Sequence, residues 1–119
     1  MLRRVDHVAL AVADLNASIE HYQRVWGLTL SHREVVAQQG VEEAMFRLGD
    51  TYLQLVAPLT SDTPVGRFIE RRGEGLHHIA YEVDGIEGEH GLFDALLRHD
   101  LAVGKGQSPN PLVMFDRGI

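Results

Sequence analysis

Val5-Asp6-His7-Val8-Ala9-Leu10-Ala11-Val12 returns, at one fixed offset, as Leu76-His77-His78-Ile79-Ala80-Tyr81-Glu82-Val83. His7 falls on His78, Ala9 on Ala80 and Val12 on Val83, and beyond the copies Leu15 falls on Ile86. Both stretches alternate as strands do, with successive side chains on opposite faces. In the first, His7, Ala9 and Ala11 share one face while Val8, Leu10 and Val12 share the other. In the second, His78 and Ala80 share a face opposite Ile79, Tyr81 and Val83. Branched and aromatic faces pack well on helices, and small residues beside each histidine leave room for a ligand. A repeat joining a histidine, a small residue and a strand-to-helix step in the same order predicts two related modules.

Outward from the first copy, Asp14 can cap a helix whose stripe is Leu15, Ile19, Tyr22 and Trp26, with Gly27 to end it. A strand around Leu28 to Val35 follows. Two more strands, roughly Glu42 to Leu48 and Thr51 to Pro58, are joined by Gly49-Asp50 as a tight turn. The first half therefore reads βαβββ. Thr63-Pro64 is a cap followed by a first helical residue, leading to Val65, Phe68 and Ile69 and stopping at Gly73. After the second copy, Phe93, Leu96 and Leu97 mark a helix. A loop with Gly104, Gly106, Pro109 and Pro111 comes next, then a last strand over Leu112 to Phe115.

Composition narrows the function classes. The 119 residues suit one domain with one core. No apolar run approaches the roughly 18 residues of a membrane span, and Met1 to Val5 leads into no apolar signal segment. A cytoplasmic protein with no membrane partner is the expectation. The formal charge is −6 and the basic residues are scattered apart from Arg71-Arg72, which argues against a nucleic-acid partner. With no cysteine and seven histidines, imidazole, carboxylate and amide oxygen are the good metal donors, a set suited to a divalent first-row ion.

Four stretches carry a resemblance: Asp6-His7, Gln39-Gly40-Val41-Glu42-Glu43, Leu53-Gln54-Leu55-Val56-Ala57-Pro58 and, most distinctive, Gly73-Glu74-Gly75-Leu76-His77-His78-Ile79-Ala80. In these the chain resembles the methylmalonyl-CoA epimerases of the vicinal oxygen chelate superfamily, well over residues 4 to about 86 and weakly beyond. The resemblance implies an α+β fold in which paired βαβββ modules form a curved mixed sheet around a metal cavity. A single domain over 1–119 would then hold module one at about 3–59, a connecting helix at about 63–73 and a truncated module two at about 75–119. It implies His7, Gln54 and His78 as ligands of a divalent metal, cobalt by resemblance, with zinc, manganese and nickel as the other candidates. Glu43 is implied as the catalytic base, with Glu42 on the opposite strand face. His77 is expected to point away and to be structural, and His21, His32, His90 and His99 to be solvated.

The implied reaction interconverts (R)- and (S)-methylmalonyl-CoA, an acyl-CoA thioester, by proton abstraction with enolate stabilisation. Inversion calls for a second acid/base group, which the family places in its last strand. The step from His7 to Gln54, repeated from His78, reaches roughly position 125, past Ile119, and Asp116 is not assigned the part. Two rival readings stand beside this one: another activity of the same superfamily, of glyoxalase or dioxygenase type, and a non-catalytic small-molecule binding protein. A homodimer is the expected assembly, since folds of this kind commonly pair.

Overall fold

The first copy of the repeat forms strand β1, Leu2–Ala11, and the second forms β5, Gly75–Val83. The computed structural model describes residues 2–83, 101–104 and 113–116. Between β1 and β5 lie α1 (Leu15–Trp26), β2 (Leu30–Val36), a 3-10 turn (Ala37–Gln39), β3 (Val41–Leu48), β4 (Thr51–Pro58) and α2 (Pro64–Arg72). Two short strands follow, β6 (Leu101–Gly104) and β7 (Val113–Asp116). Contacts divide the chain into two units. One is Ala9–Leu76, and the other holds the residues up to Val8 and those from His77 onward. Strand β1 thus contributes its two ends to different units.

In the Ala9–Leu76 unit, β2, β3 and β4 form consecutive antiparallel pairs, and Val12 N–H at the end of β1 donates to Val56 O on β4 at 2.9 Å. One face of this sheet carries Ala44, Phe46, Leu55 and Ala57, which bury against Val12, Leu15 and Ile19, with Tyr22 and Leu10 partly buried at the margin. Asp14 caps α1 by accepting from Ala17 N–H at 3.1 Å, and Gly27 ends it in the left-handed region at φ 66°. Trp26, expected in the packed stripe, is 65% exposed. A helical stripe gives an angular position, not how far along the axis the partner surface reaches, and here the packing stops a turn earlier.

A second cluster, Ala11, Val41, Val56 and Val65, with Val36, Phe68 and Ile69 against it, holds α2 on the sheet. Thr63 caps α2, its hydroxyl accepting from Gly66 N–H at 3.0 Å and donating to Thr60 O at 2.9 Å. Gly40 lets the chain turn into β3 at φ 69°, and a Cβ there would meet Thr63 Cγ2 at 2.7 Å. That close approach ties the start of β3 to the start of α2.

In the other unit the strand order runs from the first part of β1 through β5 and β7 to β6. Tyr81 pairs with Met114 and Ala80 with Phe115 across β5 and β7, and Val103 pairs with Met114 across β6 and β7. The expected last strand is therefore present as β7. Leu101–Gly104, whose last residue was expected in a loop, is a strand: four residues are too few to show an alternation, so only the pairing with β7 reveals it. The helix expected around Phe93, Leu96 and Leu97 lies outside the described residues. No helix among the described residues is long and apolar enough to cross a membrane.

Candidate metal centre

Two donor constellations stand out, one in each unit. In the unit containing the start of β1 and most of β5, His7 Nε2 and His78 Nε2 lie 3.1 Å apart, with the rings edge to face at 81°. His7 is buried, and its Nδ1 sits 2.8 Å from Asp6 Oδ2, itself fully buried. Asp6 also accepts from Arg4 Nη2 at 3.3 Å, and Arg4 Nε donates to the buried Glu82 at 2.6 Å. A carboxylate that accepts at Nδ1 keeps the ring hydrogen there and turns the Nε2 lone pair outward, which is how metal-binding histidines are usually prepared. His78 is served in a parallel way: its Nδ1 lies 2.8 Å from His77 Nδ1, with ring centroids 5.0 Å apart. His77 was expected to have no part in the site. Strand alternation does send its Cβ to the other face, but neighbouring imidazoles are long enough for their Nδ1 atoms to meet.

In the Ala9–Leu76 unit, Gln54 on β4 faces Met45 across the β3–β4 pair, one diagonal step from Glu43. Its amide Nε2 donates to Glu43 Oε2 at 2.5 Å. Its Oε1 is buried and has no hydrogen-bond partner among the described residues. Glu43 Oε1 lies 3.9 Å from His32 Nε2, which in turn lies 3.0 Å from Glu34 Oε2 on β2. The register places Glu34 directly opposite Glu43. Glu42 turns the other way and pairs with Arg33 at 2.8 Å. That hydrogen bond outweighs the opposing desolvation and, with the guanidinium charge, holds the Glu42 carboxyl below its ordinary value. A hollow of about 430 Å³ along α1, bounded by Asp14, His21, Tyr22 and Glu74, contains none of these residues.

The donors present fit a divalent ion. Two nitrogens bound to one ion at about 2.0–2.1 Å lie roughly 2.9–3.4 Å apart for ordinary ligand angles, and the imidazole pair stands at 3.1 Å. A buried amide oxygen without a partner costs about 1–3 kcal/mol, and a cation is one partner that would recover it. Sequence reasoning named His7, Gln54, His78 and Glu43 as site residues and gave no part in the site to Asp6 or His77. The signal for both lay in the repeat itself, since each immediately precedes an aligned histidine.

The sequence matches the Glyoxalase/Bleomycin resistance protein/Dioxygenase superfamily over residues 6–97, most of the chain. The chain belongs to that superfamily. Its α+β fold is shared with solved superfamily members. A methylmalonyl-CoA epimerase in complex with methylmalonyl-CoA and NH4+ aligns with a TM-score of 0.73 at 34% identity, covering 87% of this chain and 74% of that one. The methylmalonyl-CoA epimerase of Mycobacterium tuberculosis aligns with a TM-score of 0.74 at 28% identity, covering 97% and 79%. Among curated superfamily relatives, human mitochondrial methylmalonyl-CoA epimerase is 36% identical over 86 residues, 71% of this chain and 49% of its own length. An uncharacterised protein of Bacillus subtilis (strain 168) is 42% identical over 80 residues, 67% of this chain and 57% of its own length. The chain spans about half the length of the curated relatives it matches.

Proposed function

We propose that this superfamily member is a metal-dependent epimerase that interconverts (R)- and (S)-methylmalonyl-CoA. His7, His78 and Gln54 would hold the divalent ion and Glu43 would be the base. The observation that carries this reading is the Gln54 side chain: one end tethers Glu43, and the other offers a buried oxygen with no partner among the described residues. A single amide thus links a metal donor to a proton acceptor, as abstraction beside a chelated carbonyl requires. Likeness to several epimerases, one of them holding methylmalonyl-CoA, supports the choice of substrate.

When bound, a divalent ion would act as a Lewis acid that stabilises negative charge developing on the substrate oxygens. Glu43 takes the proton from the carbon between the thioester and the carboxylate. With Oε2 held by Gln54 and the side chain 14% exposed, Glu43 has one well-oriented oxygen for that task. Asp6 and Arg4 keep the His7 ring in place. Inversion calls for a second acid/base group on the opposite face of the carbon, and by resemblance it belongs to the last strand of the second module. The two-module organisation, cobalt as the ion, a homodimer and a cytoplasmic setting belong to the same proposal.

The test is solvent exchange. Protein loaded with cobalt and incubated with methylmalonyl-CoA in D2O should place deuterium at the carbon between the two carbonyls, and metal removal should stop it. Loaded, folded protein that exchanges nothing overturns the proposal.

A further inference from the structure

We propose that His32, Glu34 and Glu43 form a further divalent-cation site of their own, and that zinc bound there withdraws Glu43 from proton abstraction. The site follows from donor geometry alone; its effect on the reaction rests on the reading of Glu43 as the base. A β-bulge builds it. Strand β2 is the edge strand beside β3, and its register slips between Leu30, opposite Phe46, and His32, opposite Met45. The extra residue is Ser31, whose hydroxyl donates to Met45 O at 2.9 Å. Carried on from Leu30 without the slip, the pairing would set Glu34 opposite Glu42. With the slip, Glu34 stands opposite Glu43, and His32 comes to the same face. Carboxylates directly opposite one another on a sheet repel, and a cation held between them removes that cost.

His32 Nε2 lies 3.0 Å from Glu34 Oε2 and 3.9 Å from Glu43 Oε1, and each residue offers a donor atom within 4.8 Å of the others. Donors on one zinc ion stand roughly 2.9–3.5 Å apart. His32 and Glu34 are 47% and 49% exposed, so modest side-chain turns close them on an ion. Glu43 is the fixed end. Gln54, 7% exposed, aims its amide there: its Nε2 donates to Glu43 Oε2 at 2.5 Å, which leaves Glu43 Oε1 for the cluster. Gln54 Oε1 has no partner among the described residues, so the buried end of the cluster lacks a cationic or hydrogen-bearing neighbour. One imidazole nitrogen with two carboxylate oxygens suits zinc better than magnesium or calcium, which prefer oxygen alone. Half-exposed donors make this a weaker site than the imidazole pair. An ion bonded to Glu43 Oε1 occupies the lone pair that would take the substrate proton.

The experiment counts zinc and then reads its effect on exchange. Zinc binding is followed by equilibrium dialysis at about pH 7.5, above the ordinary imidazole and carboxylate ranges, for the protein and for His32→Ala and Glu34→Gln. Denaturation curves on each check folding. The protein should bind two zinc ions per chain. Each variant should keep the tighter one and bind the other at least about tenfold more weakly, the least that loss of even a supporting residue costs. In cobalt-loaded protein given methylmalonyl-CoA in D2O, zinc should slow deuterium incorporation. The zinc concentration that halves the rate should rise at least about tenfold in both variants. Zinc binding that neither folded variant weakens overturns the site. A single zinc per chain that both variants lose supports it and overturns the imidazole pair as a metal centre. Inhibition equal in all three proteins, as displacement of cobalt would give, overturns the effect on Glu43. Cobalt-loaded protein that exchanges no deuterium overturns the reading of the reaction, while the zinc count still decides the site.

Discussion

Asp6 and His77 stand beside the two strand histidines and leave every ring nitrogen of His7 and His78 with a partner. On the β3–β4 pair the treatment is different: Gln54 donates one amide hydrogen to Glu43 and keeps a buried oxygen that nothing among the described residues satisfies. The imidazole nitrogens all have partners, whereas the amide oxygen has none among the described residues. The difference teaches where a ligand would act on stability. At the histidines a cation would join groups that already have partners. At Gln54 it would satisfy an oxygen that has no partner among the described residues, a situation that costs about 1–3 kcal/mol.

The largest effect is expected at the carboxylate that Gln54 holds. Glu43→Gln should slow deuterium incorporation roughly 10²–10⁴-fold, the span of a general base, while leaving cobalt affinity close to unaltered; equal loss of both would merge the two constellations into one function. Next comes His78→Ala, which should weaken cobalt binding by more than the roughly 100-fold typical of a merely supporting residue. Titration giving a smaller loss would make His78 a neighbour of the site instead of a ligand. Gln54→Glu sharpens the contrast further. It sets a second carboxylate against Glu43, so the metal-free protein should lose about 1–3 kcal/mol of stability in urea, with most of the loss recovered on adding cobalt; a loss that cobalt leaves in place would break the contrast.

The smallest effect belongs to Glu42, on the opposite face of β3. Its folded-state carboxyl lies below the ordinary value of 4.5 because Arg33 favours the ionised form. The contribution to stability is present above that value and is lost as pH falls through the lower, folded one. Glu42→Gln should therefore leave deuterium exchange unchanged, and its small difference from the unaltered protein in urea midpoint should vanish in acid.

Much of the fold was legible because its local signals agree with one another. Thr51 to Pro58 is the strand expected, and the caps Asp14 and Thr63 and the stops Gly27 and Gly73 all stand where their chemistry suggested. The parity that separates Glu43 from Glu42 follows from strand alternation alone. Where reading failed, the reason was reach or partnership: Trp26 had the right angle but no surface to pack on. Leu101–Gly104 is a strand only by virtue of β7. His77 was set aside by parity, a rule about Cβ directions that says nothing of where a ring nitrogen two bonds further on can reach.

The sequence by itself determined that two related histidine strands exist, which residue types could bind a first-row metal, and which glutamate shares a strand face with its neighbours. Those properties follow from periodicity and donor chemistry, both written along the chain. Only the tertiary structure decided that the two imidazoles meet at Nε2, that Asp6 and His77 stand at their other nitrogens, and that Gln54 donates to Glu43 while its oxygen has no partner among the described residues. These are matters of hydrogen-bond direction between residues brought together by folding, and no local pattern encodes a direction.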